Sequence, residues 1–306
     1  MFSFLKKKKV LATHNGGFHS DDIFACATLQ IYLEKIGEDF EIVRTRDEKI
    51  IKEADFVFDV GGIYDPNSNR FDHHQKGGAG TRENGVPFAA FGLVWKKFGA
   101  EICGDFEVAK EIDRALAQPI DANDNGMNVY ISQIENVSPI TFQDIAGLYY
   151  PNEDAGEVEY FRAFNELVLL AKRILQKCII KTKKQFEVNS YLKNLYERSE
   201  DKRLAIVENP YERFSLAVAS LNLPELLYVV YPSTDMKIWK ILATRIGLQN
   251  MESKKPFPEN WRGLRDEELQ KVTGISSASF CHNSGFYCVA EKRQDAVELA
   301  KLSINS

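Results

Sequence analysis

Histidine and aspartate side chains are concentrated in a few short segments before residue 130. Four of the five histidines are His14, His19, His73 and His74. Carboxylates and neutral imidazoles are the ligands that Mn²⁺, Mg²⁺, Fe²⁺ and Zn²⁺ take in proteins. These segments contain no cysteine, which disfavours a structural zinc site. The aspartates that accompany the histidines are Asp21, Asp22, Asp59, Asp72, Asp121 and Asp124.

The number of these groups indicates two ions rather than one. They exceed the side-chain donors that a single divalent ion needs. Two ions about 3.5–4 Å apart can clamp the attacking and the leaving oxygen of a phosphoryl displacement. The residues therefore predict metal-assisted hydrolysis of a phosphate ester.

Three of these segments also have a purely structural explanation. Asp21 or Asp22 could cap the helix that follows, and Asp59 could begin a turn before Gly61. Asn-Gly is a strong turn pair, so the segment Pro119–Gly126 taken alone favours a turn. These explanations become weaker when the segments are considered together.

Length and composition indicate an ordinary globular protein with two domains. The chain has 306 residues, 44% hydrophobic and 27% charged, which excludes a disordered chain, collagen and a coiled coil. Its net charge of −5 excludes a positively charged coat for duplex DNA, but not a local basic groove. The longest apolar run, Val86–Trp95, is too short to cross a membrane.

The cysteines and the first eleven residues of the sequence indicate the cellular compartment. Five scattered cysteines without a C-x-x-C pair are typical of buried thiols in a reducing compartment. The segment Met1–Leu11 has neither the apolar core nor the cleavage site of a secretory signal. We therefore expect a cytoplasmic protein without membrane association, and a homo-oligomer is left open.

The candidate residues must be positioned by a sheet and its helices. Val10–Thr13, Phe40–Val43 and Phe56–Val60 are typical of strands, and Asp21–Lys35 of a helix. This alternation predicts an α/β protein with a doubly wound, mostly parallel sheet. Such sheets bind ligands at the carboxyl ends of their strands. The loops that follow the first and third strands would meet there.

A second, smaller α+β domain is predicted beyond the charged cluster Arg198–Arg203. Before it, apolar residues at three-four spacing from Phe161 to Cys178 predict a long helix. The strands and the last helix that we expect after it are Leu204–Val207, Leu226–Tyr231, Lys237–Leu242 and Asp295–Leu302. We place the catalytic domain at residues 1–200 and the substrate-binding domain at residues 201–306.

Several of these motifs resemble the melanocyte proliferating gene family of metal-dependent hydrolases and exonucleases, within the DHH phosphoesterase superfamily. The resemblance runs from about residue 10 to residue 303. It implies a DHH-like α/β fold and phosphodiester hydrolysis. The matching segments are Thr13–Asp22, Arg70–Gln75, Pro119–Gly126, Lys255–Leu269 and His282–Phe286.

The resemblance implies roles for individual residues of the first domain. His74 would bind the phosphate or protonate the leaving oxygen, and Asp72 would orient the histidine pair. The expected cofactor is two divalent ions, with Mn²⁺ first and Mg²⁺, Co²⁺, Fe²⁺ or Zn²⁺ as alternatives. The implied ligands are His14, His19 and Asp59 for one ion, and Asp21, Asp59, His73 and Asp121 for the other.

The resemblance also implies that the second domain closes over the substrate. Trp261 or Phe286 would stack on a base. The segment Tyr287–Val289 departs from the family, because a glycine pair often occurs there. The implied substrate-binding residues are His282, Ser284, Gly285, Arg262 and Arg265.

The predicted function is a 3′ to 5′ exonuclease that acts on RNA or short oligonucleotides. A small-molecule phosphohydrolase, such as a pyrophosphatase or a nucleotide phosphatase, is the nearest alternative because the same metal pair would serve it. A metal-loaded binding protein without turnover is disfavoured, since it has no need of a proton donor such as His74. The acidic net charge favours a short substrate over a long polyanion.

Overall fold

Two sheets, one in each half of the chain, organise the protein. The chain divides into two units, Met1–Lys183 and Lys184–Ser306, each built on a five-stranded sheet. Residues 1–6, the start of the segment inspected for a signal, lie outside the described residues. The computed structural model describes residues 7–210, 218–221, 223–247, 250 and 252–306.

The first sheet has the strand order β2-β1-β3-β5-β4. Strands β2, β1, β3 and β5 run parallel, and only the edge strand β4 is antiparallel to its neighbour. The mostly parallel α/β sheet predicted from the sequence is therefore confirmed. The strands are β1 (Lys9–Thr13), β2 (Phe40–Arg44), β3 (Phe56–Phe58), β4 (Tyr64–Asp65) and β5 (Arg70–Phe71).

Helices cover both faces of this sheet. Because β2 and β3 lie on opposite sides of β1 and parallel crossovers are right-handed, α1 and α2 fall on opposite faces. Ile51 of α2 packs with Val10 and Ala12 of β1, while α1 packs against α3. The helices are α1 (Ser20–Lys35), α2 (Glu48–Glu53), α3 (Ala90–Cys103), α4 (Phe106–Ile112), α5 (Gln118–Asp124), α6 (Phe142–Leu148) and α7 (Glu157–Arg198).

Helix α7 carries the boundary between the units. The boundary predicted from the sequence follows Glu200, whereas the units divide inside the helix, after Lys183. The reason is that the last turns of α7 pack in the second unit, where Val188 and Leu192 are buried with Ala205. Of the predicted apolar stripe, the earlier turns bury Phe164, Val168, Ala171 and Leu175. The two ends of the stripe differ, since Phe161 is exposed and Cys178 is half-buried.

The second unit is the smaller of the two, and its sheet is mixed, with the order β6-β7-β8-β10-β9. Only β6 and β7 are parallel, and the other pairs are antiparallel. One helix, α9, packs along β7, β8 and β10, which confirms the predicted α+β unit. Its elements are β6 (Leu204–Ile206), β7 (Tyr228–Pro232), β8 (Trp239–Ala243), α8 (Asp266–Thr273), β9 (Ala278–Cys281), β10 (Tyr287–Ala290) and α9 (Arg293–Asn305).

Two further features of the structure concern the cysteines and the helix lengths. All five cysteines are free thiols; Cys178 is half-buried and the other four are buried. Within the described part of the chain, no helix is both long enough and apolar enough to span a bilayer.

Candidate metal centre

The loop between β1 and α1 lies at the carboxyl edge of the first sheet. β1 ends at Thr13 and α1 begins at Ser20, so the residues between them leave the sheet at this edge. Arg44 of the neighbouring strand donates hydrogen bonds to the carbonyl oxygens of Gly16 and Gly17, both at 2.9 Å. The loop is therefore held in one position, with His14 buried at its start and His19 exposed at its end.

Asp22 both caps α1 and faces the histidine of the loop. Its Oδ1 accepts a hydrogen bond from the backbone N of His19 at 3.0 Å. Its Oδ2 lies 3.3 Å from Nε2 of His14. The capping explanation considered for this residue thus accounts for one oxygen and leaves the other for the cluster.

Asp59 lies between two imidazoles. Its Oδ2 is 3.1 Å from Nε2 of His14, and its Oδ1 is 3.4 Å from Nε2 of His73. The residue adopts a left-handed backbone conformation with φ of 55°, which ends β3 at Phe58 instead of the predicted Val60. Such conformations are uncommon outside glycine, and aspartate and asparagine tolerate them best. The strained backbone at this residue thus positions its carboxylate between the two imidazoles.

His73 brings a third loop to the same place. Its Nε2 lies 3.2 Å from Oδ2 of Asp124 and 3.8 Å from Oδ2 of Asp21. Although three carboxylates surround this nitrogen, it makes no hydrogen bond within the described residues. Potential ligand atoms lie within 4.8 Å of one another in three overlapping groups: His14, His19 and Asp59; Asp59, His73 and His74; and His19, Asp21 and Asp124.

Buried polar atoms without partners show that the cluster fits cations. Oδ1 of Asp21, Oδ1 of Asp59 and Nε2 of His73 are buried and lack a hydrogen-bond partner within the described residues. Nδ1 of His14 lies 3.2 Å from the carbonyl oxygen of Asn15. Because a carbonyl only accepts, Nδ1 carries a proton, and Nε2 is the atom through which the neutral ring can bind a metal. Oxygen and imidazole donors of this kind suit Mn²⁺, Mg²⁺, Fe²⁺ or Zn²⁺.

The pKa shifts of three buried aspartates reflect the negative charge that is concentrated in the cluster. Burial, reinforced by the charges of Asp59 and Asp124, raises the pKa of Asp21 well above its usual range. Burial raises the pKa of Asp22 to about 7, against the lowering effect of His14. Burial also opposes the charged form of Asp59, but the neighbouring imidazoles of His14 and His73 hold its pKa at about 2. Carboxylates buried this closely need cations to remain charged together.

His74 contacts both the cluster and Asp72. Nδ1 of His74 lies 2.8 Å from Oδ1 of Asp72, which also accepts the backbone N of His74 at 3.1 Å. Asp72 is 1% exposed, whereas the His74 side chain is 63% exposed. Asp72 therefore orients His74 alone, and not both histidines as the resemblance implied. The Nδ1–H bond leaves Nε2 of His74 as the atom that can exchange a proton.

Asp121 is placed differently from the ligand set that the resemblance implied. Its Oδ2 pairs with Nη1 of Arg82 at 2.8 Å, and its Oδ1 accepts the backbone N of Gly92 at 3.0 Å. It belongs to none of the potential ligand groups found among the described residues. Arg82 also binds Asp113 at 2.7 Å and lies 4.0 Å from the ring centre of Phe88. Asp121 thus neutralises a buried cation at the start of α3.

Gly92 makes room for this carboxylate. A Cβ atom at this position would lie 1.8 Å from Oδ2 of Asp121 and 2.4 Å from Nη2 of Arg82. The buried pair therefore requires glycine in the first turn of α3.

Asp124 is a carboxylate of the cluster that the implied ligand set leaves out. It lies three positions after Asp121 in α5, a helix where a turn was favoured for this segment. Pro119 in the first turn is a helix-start signal that could have indicated α5. No sequence signal distinguishes which of the two carboxylates faces His73, because residues three apart lie on the same face of a helix.

The second unit contains the predicted turn between β9 and β10. Nδ1 of His282 accepts the backbone N of Ser284 at 3.1 Å, so the neutral ring carries its proton on the other nitrogen. Gly285 has φ of 68°, and a Cβ there would lie 2.7 Å from Nε of Arg262. Nε of Arg262 donates to the carbonyl oxygen of Phe257 at 2.8 Å. These four predicted residues therefore lie close together.

The other side chains of this unit that were expected to contact the substrate differ in their solvent exposure. Trp261 is 6% exposed and packs in the core, so its expected stacking on a base is ruled out by burial. Arg265 is exposed and its guanidinium lies 4.6 Å from the ring centre of Phe280. Phe286 and Ser284 line a cleft of about 560 Å³ together with Arg245. Of the two predicted aromatic side chains, Phe286 is thus the one that remains available.

With this geometry in place, comparison with known proteins identifies the family. A family model named MYG1_exonuc, described as "Uncharacterised protein family (UPF0160)", matches residues 10–304. The chain belongs to the MYG1 family. This confirms the resemblance to the melanocyte proliferating gene family.

Named relatives align over almost the whole chain. The human protein named MYG1 exonuclease is 29% identical over 332 residues, covering 96% of this chain and 85% of the human one. An MYG1 protein of Chlamydia pneumoniae is 29% identical over 308 residues, covering 96% of each chain. An MYG1 protein of Chlamydia muridarum is 30% identical over 299 residues, covering 95% of each.

Solved structures of RecJ are similar only at a low level. RecJ of Thermus thermophilus in complex with Mn²⁺ gives a TM-score of 0.29 at 10% identity, covering 97% of this chain and 52% of that one. An exonuclease RecJ bound to manganese gives a TM-score of 0.28 at 11% identity, covering 97% and 91%.

Proposed function

We propose that this chain is a metal-dependent phosphodiesterase that uses two divalent ions, and that it acts as a 3′ to 5′ exonuclease on RNA or short oligonucleotides. The observation that carries the proposal is the placement of Asp59 between His14 and His73, with Oδ1 of Asp59 and Nε2 of His73 left without hydrogen-bond partners among the described residues. The exonuclease names of MYG1 relatives support nucleic acid as the substrate.

The ligand assignment follows the three groups of neighbouring donor atoms. Asp59 would be shared by the two ions, because it faces an imidazole on each side. Asp124 takes the place that the resemblance implied for Asp121, since it faces His73. We expect Mn²⁺, which suits mixed imidazole and carboxylate donors. The proposed ligands are His14, His19 and Asp59 for one ion, and Asp21, Asp59, His73 and Asp124 for the other.

The residues around the ions transfer a proton and bind the substrate. When bound, the ions activate the nucleophile and neutralise charge that develops on the phosphoryl oxygens. His74 donates a proton to the leaving oxygen from Nε2, while Asp72 holds the ring through Nδ1 and stabilises its charged form. His282 and Ser284 bind a phosphate of the substrate in the second unit, and Arg262 and Arg265 supply positive charge.

An assay with end-labelled substrates tests the function. Oligoribonucleotides labelled at the 5′ end should shorten stepwise with Mn²⁺, while those labelled at the 3′ end should release a labelled mononucleotide first. Excess chelator should abolish both reactions. Hydrolysis of pyrophosphate without cleavage of oligonucleotides would instead indicate a small-molecule phosphohydrolase. Metal binding without turnover on either substrate would indicate a binding protein.

Exchanging Asp124 and Asp121 for asparagine tests the ligand assignment. Asp124→Asn should weaken Mn²⁺ binding by more than about 10-fold, because even residues that only orient a ligand cost this much. Asp121→Asn should leave the Mn²⁺ affinity nearly unchanged and lower the free energy of unfolding by about 1–3 kcal/mol, since Arg82 loses one charged partner and keeps Asp113. Calorimetric titration and urea unfolding measure the two effects. The reverse pattern would restore Asp121 as the ligand.

His282→Ala tests the substrate-binding turn. A hydrogen bond to a charged phosphate contributes about 1.5–3 kcal/mol, so KM for an oligonucleotide should rise at least 10-fold with little change in kcat. KM for a small chromogenic phosphodiester should change much less. Asn283→Ala, at the exposed neighbouring position, is the matched control. Equal losses on both substrates would assign His282 to folding or chemistry instead.

A further inference from the structure

A second concave feature of the first unit is an apolar cavity of about 290 Å³. Phe24 of α1, Ile120 of α5, Phe142 of α6 and Ile174 of α7 contribute to its wall, together with residues 127–130. No charged side chain of the described residues lines it. The cavity is therefore suited to a neutral group and not to a phosphate.

The cavity adjoins the candidate metal cluster through two elements. Ser20 lines it from α1 and stands between His19 and Asp21 in the chain. Asn123 lines it from α5 and directly precedes Asp124. A group that binds here is thus held by the same two helix segments that carry the ligands of the metals.

The wall combines aromatic faces with hydrogen-bonding edges. Phe24 and Phe142 meet edge to face with ring centres 4.8 Å apart, and Tyr130 adds a further ring. Asn123 and Asn128 line the cavity, and their carboxamides make no hydrogen bond within the part of the chain that the structure describes. A planar heterocycle with donors and acceptors on its edge can pack against the aromatic rings and hydrogen-bond to the carboxamides.

We infer that this cavity receives the base of a nucleotide next to the bond that is cleaved. The inference rests on the proposed function and specifies its substrate further. At about 290 Å³ the cavity lies at the lower limit of ligand pockets, which usually span about 300–1,000 Å³, and this size suits one base and not a base pair. A base can enter only with its pairing edge free. The substrate is therefore single-stranded at this nucleotide.

Filling the cavity without adding charge tests the inference. Met127 lines the cavity and is 40% exposed, so Met127→Trp places a large side chain there without disturbing the buried core. Ile131 is 94% exposed and does not line the cavity, so Ile131→Trp is the matched control. Asn128→Ala removes one carboxamide and serves as a milder second variant.

Binding of uncharged nucleosides provides a readout that does not depend on activity. Adenosine and uridine are titrated into the metal-free full-length protein and followed by calorimetry or NMR shifts. We expect both the wild type and Ile131→Trp to bind, with at least 10-fold weaker binding in Met127→Trp and a smaller loss in Asn128→Ala. Equal binding in all variants, or none in a folded wild type, overturns the inference.

Cleavage assays separate this inference from the proposed function. With Mn²⁺, Met127→Trp should raise KM for a single-stranded oligonucleotide at least 10-fold and leave a small phosphodiester unaffected. Cleavage with an unchanged KM overturns the cavity as a base site while the nuclease stands. If the wild type binds nucleosides but cleaves no oligonucleotide, and Met127→Trp abolishes nucleoside binding, the base site is upheld and the proposed nuclease function fails.

Discussion

Asp59→Asn is expected to lower kcat for oligonucleotide cleavage by more than about 100-fold. Loss of a group that only orients a metal ligand typically costs about 10–100-fold, and Asp59 faces both proposed ion sites directly. Asparagine keeps the shape of the side chain and tolerates the left-handed backbone at this position. The change therefore removes charge with little added strain.

Thermal unfolding distinguishes loss of metal from loss of fold in this variant. Bound ions stabilise the wild type by mass action, so its melting temperature should rise when Mn²⁺ is added. That rise should nearly vanish in Asp59→Asn, while the metal-free melting temperature stays close to that of the wild type. Asp65→Asn, an exposed cap of a short helical turn, is the control and should retain the full rise. A normal Mn²⁺ response in Asp59→Asn would contradict the shared ligand.

His74→Ala should separate proton transfer from metal binding. We expect kcat to fall by about 10²–10⁴, the usual contribution of a positioned general acid, while Mn²⁺ affinity is retained. His73→Ala should instead weaken Mn²⁺ binding, because its Nε2 faces three carboxylates. Stopped-time cleavage assays and calorimetric titration of both variants provide the comparison.

The leaving group supplies a sharper test of the role of His74. A nitrophenolate leaves without a proton, whereas the ribose oxygen of an oligonucleotide needs one. The penalty of His74→Ala should therefore be much smaller on a nitrophenyl phosphodiester than on an oligonucleotide. Asp72→Asn should show the same dependence with a smaller penalty, because it disturbs only the partner of Nδ1. Equal penalties on the two substrates would show that His74 acts by binding and not as an acid.

The parts of the fold that follow from periodicity were predictable. The strands Lys9–Thr13 and Phe40–Arg44 and the helix Ser20–Lys35 lie within one residue of their expected bounds. Once the parallel sheet was expected, the rule that its strands end at one edge brought the first histidine loop to Asp59. Hydrophobic pattern and sheet topology together sufficed for these elements.

The remaining differences arise from tertiary contacts that leave no local pattern. Asp121 and Asp124 occupy one helix face, and only the distant Arg82 determines which of them is neutralised. Trp261 follows proline and charged residues that suggest a surface, yet the second core buries it. The unit boundary depends on which sheet the last turns of α7 pack against. Each outcome is set by a partner far away in the chain.

The close approach at Gly92 also has a consequence for sequence divergence. Because a methyl group there would overlap the carboxylate of Asp121, no single exchange to a larger residue at this position is tolerated while the carboxylate remains. Losing the carboxylate first would leave the Arg82 guanidinium with Asp113 as its ion-pair partner among the described residues. Positions 82, 92 and 121 are therefore expected to covary in related chains. Among reconstructed ancestral proteins, those in which only some of these three residues have changed should have the lowest free energy of unfolding.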